Sequence, residues 1–223
     1  MGKTKYIFLM ILIIALSIQI IYVLSEQLTF TLTQKVIIVS IQSISVIGFT
    51  HFSNLGKNAK IIKKNLNYAS LFMYGLYVIN LVYVLFLDPD FGRQALPHLM
   101  SVKDYIATNV NLKFFASIEL FVKGYQNGYV TLETLLRNLL GNFIVFMPMA
   151  YFLPLFFKKQ RKWRWFFVTI FLMVFSVELL QVILRIGSGD VDDLLLNVTG
   201  ALTMYGFLKL LPLWRIYRLM ERE

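Results

Sequence analysis

Charged and amide side chains lie close together near the ends of long apolar stretches of this chain. Glu178, Gln181 and Arg185 are spaced i, i+3 and i+7, so a helix places all three on one side. A carboxylate within an apolar stretch needs a counter-charge or a bound proton. The nearest basic candidate is Arg137, which opens an earlier apolar stretch, and we predict that it is coupled to Glu178. Such a pair either joins two helices or serves a functional site.

Three acids follow Arg185 and come just before another apolar stretch. They are Asp190, Asp192 and Asp193, and Asp193 shares a helical face with Asn197 at i+4. Asp190 or Asp192 could cap the helix that follows, but capping accounts for only one of the three acids. Carboxylates, amides and arginines at one depth predict a polar pocket that holds a phosphate, a sugar or a hard cation.

These residue types allow binding, acid–base catalysis or metal chemistry, and the sequence leaves all three open. Glu178 and Asp193 are the candidate catalytic residues, and Asp190 and Asp193 are the candidate ligands of a divalent cation. The chain has no Cys, which excludes thiol nucleophiles and Cys-ligated metals. Its two His, His51 and His98, fall at the inner end of the second predicted span and in the outer segment, which excludes a paired-His site. The predicted substrate-binding residues are Arg137, Asn138, Asn142, Glu178, Gln181, Arg185, Asp190, Asp192, Asp193 and Asn197.

The elements that carry these residues are predicted to be membrane-spanning helices. Of the 223 residues, 58% are hydrophobic and only 15% are charged, and the mean hydropathy is +0.67, which argues against a water-soluble globular protein. A spanning helix needs roughly 20 apolar residues. The predicted spans are residues 6–25, 36–56, 65–87, 138–157, 165–184 and 194–214. The predicted fold is therefore an all-α integral membrane bundle of about six transmembrane helices.

The six predicted spans sort the charges of the chain between two sides of the membrane. One side has 15 basic and 2 acidic residues, whereas the other has 7 basic and 10 acidic residues. Cytoplasmic loops retain Lys and Arg, so we predict that both termini are cytoplasmic and that the candidate site faces outward. The basic run at residues 158–164, with Trp163 and Trp165, is typical of an anchor on anionic membrane lipid. No nucleic-acid recognition motif accompanies it, so nucleic acid is not an expected partner.

A long segment on the acidic side, residues 88–132, is too polar to span the membrane. It contains an apolar block at residues 112–122 that is interrupted by small and charged residues and is too short to cross a bilayer. We predict an interfacial or re-entrant element over the outer mouth of the bundle. A lipid-surface loop without a function fits the sequence equally well.

Three segments together resemble the VanZ-like family of bacterial membrane proteins. They are residues 137–148 (RNLLGNFIVFMP), 176–181 (SVELLQ) and 187–200 (GSGDVDDLLLNVTG), and the resemblance extends over residues 75–210. Relatives often carry an N-L-x-P-F element before the fourth span, and residues 111–115 here read NLKFF, without the proline. The family pattern maps onto Arg137, Asn142, Pro148, Glu178, Gln181, Asp190, Asp192, Asp193 and Asn197.

With this resemblance, the predicted organisation has three regions. Residues 1–64 form an N-terminal two-helix region, residues 65–214 a VanZ-like transmembrane domain, and residues 215–223 a basic cytoplasmic tail. The family is named for a member associated with teicoplanin resistance, which implies a bacterial cell-membrane protein that contributes to low-level resistance. Its pocket would engage a lipid-linked cell-envelope intermediate, so the expected partners are membrane lipid and a lipid-linked cell-wall precursor.

Two alternatives to this function stay open in the sequence. One is a metal-dependent membrane enzyme that acts on a lipid-linked phosphate or sugar substrate. The other is a small transporter in which Glu178 changes protonation. The sequence leaves open whether the protein is an enzyme, whether it needs a divalent cation and what its oligomeric state is.

Overall fold

The fold is that of a computed structural model, which describes residues 3–25, 30–88 and 101–211. The helices are α1 (Thr4–Leu24), α2 (Leu32–Asn54), α3 (Ala59–Phe86), α4 (Val102–Asn109), α5 (Ala116–Gln126), α6 (Leu132–Val145), α7 (Met149–Phe156), α8 (Trp163–Leu184) and α9 (Val191–Leu210). Strands β1 (Val110–Asn111) and β2 (Gly189–Asp190) and a 3-10 helix at Lys158–Arg161 complete the described elements. The chain divides into two compact units, Met1–Leu76 and Tyr77–Glu223. The predicted tail at residues 215–223 lies outside the described residues.

The first unit contains two long apolar helices, α1 and α2, that pack against each other. Gln42 and Ser45 of α2 are buried, and Gln42 Nε2 donates a hydrogen bond to Gln19 Oε1 at 2.5 Å. Gly48 lies so close to α1 that an added Cβ would be 2.4 Å from the ring of Phe8. Small and polar residues of α2 therefore serve helix packing.

In the second unit, α9 packs against α5, α6, α7 and α8. A Cβ added at Gly200 would lie only 1.6 Å from the backbone oxygen of Phe143, so α6 and α9 touch through their backbones. Further along α9, Tyr205 stacks on Phe166 with ring centroids 4.3 Å apart, and its hydroxyl donates to Arg161 O at 2.6 Å. These contacts fix α9 along its length and thereby position its acidic first turn.

Five described helical stretches are long and apolar enough to cross a membrane, and they coincide with the first five predicted spans; the fourth of them comprises α6 and α7. They are Thr4–Leu24, Thr33–Asn54, Ala59–Phe86, Leu132–Phe156 and Trp163–Leu184. The predicted sixth span corresponds to α9, whose first turn carries Asp192 and Asp193 and is therefore less apolar. The protein is thus a largely helical membrane protein. A sixth span and cytoplasmic termini stay predictions.

The fourth predicted span, residues 138–157, is confirmed within Leu132–Phe156, but the chain turns inside it between α6 and α7. α6 ends at Val145 and α7 begins at Met149. The break lies at Pro148, which has no backbone N–H and so cannot donate a helical hydrogen bond. The chain before it closes in tight turns, with Met147 N–H donating to Ile144 O at 3.0 Å. The polar face of α6 therefore belongs to a separate helix of 14 residues.

The segment predicted to lie at the membrane surface contains α4, β1 and α5, and its residues 89–100 lie outside the described part. β1 pairs in parallel with β2, so that Val110 lies opposite Gly189 and Asn111 opposite Asp190. This short pairing fixes the segment to the start of α9.

Candidate functional site

Asp190 connects β2 to α9 and to the neighbouring segment. It is the N-cap residue of α9, and its Oδ1 accepts a hydrogen bond from Asp192 N–H at 2.9 Å. Its carboxylate also accepts from Asn111 Nδ2, at 3.4 Å, and from the hydroxyl of Ser117. The backbone N–H of Asp190 donates to Glu178 Oε2 at 3.4 Å. Asp190, rather than Asp192, is thus the residue that caps α9, and it ties α8, β1 and α5 to that cap.

Asp192 instead caps α5, a helix more than 70 residues earlier in the chain. Its carboxylate accepts from the N–H groups of Phe115, Ser117 and Ile118 at 2.6, 2.9 and 3.2 Å. The first N–H groups of a helix have no partner within the helix and form the positive end of its dipole. The Asp192 carboxylate is fully buried, and these hydrogen bonds compensate the burial of its charge.

Asp193 and Asn197 lie on the first two turns of α9, and Asp193 contacts α6. Asn142 Nδ2 on α6 donates to Asp193 Oδ1 at 2.5 Å, and Asn197 Nδ2 donates to Asp193 O at 2.7 Å. Asn197 is buried, and no described residue donates to its Oδ1. The contact between α6 and α9 therefore contains a polar pair, and α9 carries a buried amide oxygen to which no described residue donates.

The three predicted residues at the end of α8 lie in different surroundings. Glu178 is buried beside the Asp190 N–H, as described above. Gln181 is fully buried; its Nε2 donates to Leu85 O at 2.8 Å, and its Oε1 has no donor among the described residues. Arg185 ends the helix as its C-cap, in the left-handed conformation with φ 55°, and is half-buried. Two of the three side chains therefore point into the unit, and the third terminates α8.

Arg137 and Asn138 lie on α6. Arg137 Nη2 donates to Glu133 Oε1 at 2.9 Å, and Asn138 Nδ2 donates to Thr134 O at 2.8 Å. These hydrogen bonds stay within α6 and do not themselves attach either residue to the acidic turn, which is formed by Asp190, Asp192 and Asp193. The predicted coupling of Arg137 with Glu178 stays a prediction.

The site includes residues that the spacing argument did not select. Asn111 and Ser117 bind the N-cap carboxylate of α9, and the buried Tyr105 donates its hydroxyl to Gly187 O at 2.6 Å. Tyr105 thereby holds the turn between α8 and β2. The available sequence signal was the similarity of residues 111–115 to the N-L-x-P-F element of the family, because that element begins at Asn111.

Phe115, the N-cap residue of α5, has a strained backbone. Its φ of 63° and ψ of 5° lie in the left-handed region, which costs a residue with a side chain about 1–2 kcal/mol. Its N–H donates to Asp192, and its carbonyl oxygen accepts from Glu119 N–H at 2.9 Å. These two hydrogen bonds hold the strained residue in place.

The carboxylates of this cluster already receive hydrogen bonds, which bears on the predicted cation site. Asp190 and Asp192 accept from N–H and O–H donors, whereas a metal ligand needs a lone pair that faces the ion. The described residues contain no group of three or more His, Cys, Asp or Glu that could hold a metal ion. A cation site at Asp190 and Asp193 stays a prediction.

The comparisons with known proteins concern the same part of the chain. Residues 72–212 match the family model described as VanZ/LLP1, and this range contains every element of the polar cluster. No curated protein and no solved structure matches the chain. The family match extends over more than half of the sequence, and the chain therefore belongs to the VanZ-like family.

Proposed function

We propose that this VanZ-like membrane protein contributes to low-level teicoplanin resistance at the outer surface of the bacterial cell membrane. It acts through an outward-facing polar pocket that engages a lipid-linked cell-envelope intermediate. Membership of a family associated with teicoplanin resistance supports the phenotype. The five helices that are apolar enough to span a membrane support the location.

The observation that carries the proposal is a pair of buried amide oxygens. Gln181 Oε1 and Asn197 Oδ1 are buried, and no described residue donates to either. A buried acceptor without a donor costs roughly 1–3 kcal/mol. A sugar headgroup, rich in hydroxyl and N–H donors, would supply the missing hydrogen bonds.

Two arginines of the predicted site suit the remaining part of such a ligand. A lipid-linked intermediate carries phosphate next to its sugars. Arg137 and Arg185 are both half-buried, and a guanidinium in that position binds phosphate through two parallel hydrogen bonds. The pocket thus offers arginines for the phosphate and amides for the sugar.

Binding is favoured over a metal-dependent reaction by the hydrogen bonds of the acidic turn. Asp192 accepts three backbone N–H groups, and Asp193 accepts from Asn142. Both oxygens of Asp192 are thus engaged by backbone donors, which supports a structural role for this carboxylate. Chelator-sensitive turnover of a lipid-linked phosphate by the pure protein would favour the enzyme instead.

The proposal is tested by deleting the gene and restoring it with variants. Teicoplanin carries a lipid tail and acts at the outer membrane surface, whereas vancomycin lacks that tail. We expect deletion to increase susceptibility to teicoplanin more than to vancomycin. The Asn197→Ala variant removes one unpaired amide oxygen, so it should reach the membrane in normal amount and fail to restore tolerance.

Thr203→Val is the matched control for this experiment. Thr203 lies on the same helix, but its hydroxyl is exposed and donates only to Thr199 O within α9, at 2.8 Å. This variant should restore tolerance fully. Full rescue by Asn197→Ala would remove Asn197 from the pocket, and equal shifts for both antibiotics would contradict a specific role in teicoplanin tolerance.

A further inference from the structure

Four consecutive residues between β1 and α5 form an exposed apolar tip, defined as residues 112–115. Leu112, Phe114 and Phe115 are 77%, 61% and 60% exposed. Lys113 between them is also exposed and is the only charged residue of the tip. Three large apolar side chains that project together from a loop indicate an apolar environment around that loop.

Several backbone groups at and beside the tip are hydrogen-bonded within the protein. Lys113 N–H donates to Asn111 Oδ1 at 3.1 Å, and Ala116 N–H donates to Lys113 O at 3.3 Å. The carboxylate of Asp192 accepts the three further N–H groups at the start of α5. Water would satisfy such groups without help from the protein, whereas hydrocarbon cannot. Partners within the protein therefore favour a position of this backbone at the membrane interface.

The conformation of Phe115 points in the same direction. Glycine adopts a φ of 63° without strain, yet this position carries a large aromatic residue whose side chain is exposed. The cost of holding a phenylalanine there indicates that its side chain has a use outside the protein core.

We propose that the tip is a wedge that inserts into the bilayer at the boundary between headgroups and acyl chains. The three apolar side chains enter the acyl region, and the ammonium group of Lys113 reaches lipid phosphate. Asp192 is the positioning residue, because it satisfies the backbone at the base of the wedge. The tip lies beside the first turn of α9, at one end of that helix, which is why the insertion is interfacial and does not reach the bilayer centre.

Lipid fits this surface better than a second copy of the chain. A stable protein interface buries about 800 Å² on each partner, more than three side chains provide. The adjoining helix α5 exposes Leu120 and Tyr125, but its exposed surface also carries the ion pair of Glu119 with Lys123 and the exposed Gln126. An apolar tip bounded by a charged helix face matches the change from hydrocarbon to water at a membrane surface.

The depth of the tip can be measured directly because the chain has no native Cys. Phe114→Cys and the control Gln126→Cys are each labelled with the fluorophore NBD, and the full-length protein is placed in vesicles of phosphatidylcholine and phosphatidylglycerol. At position 114 we expect blue-shifted emission that is quenched by lipids with a doxyl group high on the acyl chain and not by aqueous iodide. The label at position 126 should be quenched by aqueous iodide and not by the doxyl lipids. Iodide quenching at position 114 would overturn the proposal, and so would shielding from both quenchers, which would indicate a second copy.

The role of Asp192 is tested by adding Asp192→Asn to the labelled Phe114→Cys protein. The label should lose its lipid quenching, while helical content and the signal at position 126 stay unchanged. Retained lipid quenching would overturn the positioning role. If the Asp192→Asn protein does not fold, the comparison of positions 114 and 126 in the otherwise native chain still decides whether the tip is inserted.

Discussion

The two units of the chain bury polar groups in different ways. In Met1–Leu76, α1 and α2 contain no acidic residue, and the buried polar groups are amides and hydroxyls such as Gln42 and Ser45. In Tyr77–Glu223, the buried polar groups include carboxylates, and Asp192 is fully buried. The first arrangement serves packing of two helices, and removing one partner costs little. In the second arrangement, one carboxylate accepts hydrogen bonds from several backbone N–H groups of a distant segment. Removing that carboxylate would leave several N–H groups without an acceptor at once.

The difference locates the specialised part of the molecule. The VanZ/LLP1 match begins at residue 72 and ends at residue 212, so it covers almost all of the described second unit and almost none of the first. The helix pair of the first unit is held by small residues and an amide pair, which are general features of membrane helices. We therefore expect substitutions in the second unit to cost more, in stability and in function, than matched substitutions in the first.

The largest expected effect is at Gly200. In Gly200→Ala the new Cβ would meet Phe143 O at 1.6 Å, so two helix backbones must separate, and we expect a loss of about 3 kcal/mol or more. Gly48→Ala in the first unit meets only the ring of Phe8, which can turn away, and should cost about 1 kcal/mol. The midpoint of unfolding in detergent measures both.

Gly206→Ala controls for the change in helix propensity. An added Cβ at Gly206 has nothing within 4 Å, so this variant should be neutral or gain up to about 1 kcal/mol. Equal losses of stability in Gly200→Ala and Gly48→Ala would contradict the proposed difference in packing between the units.

The next largest effect is expected for Asp192→Asn. The new amide nitrogen would face backbone N–H donors, and we expect a loss of about 2 kcal/mol, with faster hydrogen exchange at Phe115, Ser117 and Ile118. Gln42→Leu, which breaks the amide pair of the first unit, should change stability by less than about 1 kcal/mol. Unchanged exchange at the start of α5 in Asp192→Asn would show that this cap is not needed.

Asp193→Asn should affect function more than stability. The amide keeps the size of the side chain and can still accept from Asn142 through its oxygen, but it removes the charge. We expect normal accumulation in the membrane and failure to restore teicoplanin tolerance in the deletion strain. Full restoration would remove the charge of the acidic turn from the proposed pocket.

The smallest effect concerns the exposed pair on α5. The hydrogen bond and the positive charge of Lys123 lower the pKa of Glu119 below its usual value. The ion pair therefore stabilises the fold at pH values above the pKa of Glu119 in the unfolded chain. This stabilisation disappears as the pH falls through the lowered pKa of Glu119 in the folded chain. Glu119→Gln should remove this small acid dependence of the unfolding midpoint and leave neutral stability almost unchanged. A large shift at neutral pH would contradict a solvent-screened pair.

Much of the architecture could be predicted because apolar length and charge are local properties of the sequence. Five predicted spans coincide with helices that can cross a membrane. Helical spacing also selected Asn142 and Asp193, which the structure joins across α6 and α9. The turn between α6 and α7 was not predicted, because hydropathy does not register that Pro148 lacks a backbone N–H.

The role of Asp192 could not be predicted from local pattern. An acid in the first turn of a helix normally interacts with that helix, whereas Asp192 caps α5. Such a contact depends on the tertiary arrangement of segments that are far apart in sequence. Asn111 could not be selected from the sequence either, because Asn is common in loops. Its role follows only from the strand pairing that places it opposite Asp190.

The outward orientation of the polar pocket is the central claim, and cysteine labelling in intact cells tests it most directly. Ser188 lies in the exposed turn before the acidic cluster, and Lys159 is exposed in the basic run at the other end of α8. With a membrane-impermeant maleimide, Ser188→Cys should react in intact cells, and Lys159→Cys should react only after the membrane is permeabilised. Reaction of Lys159→Cys but not of Ser188→Cys in intact cells would place the pocket in the cytoplasm and contradict the proposed function.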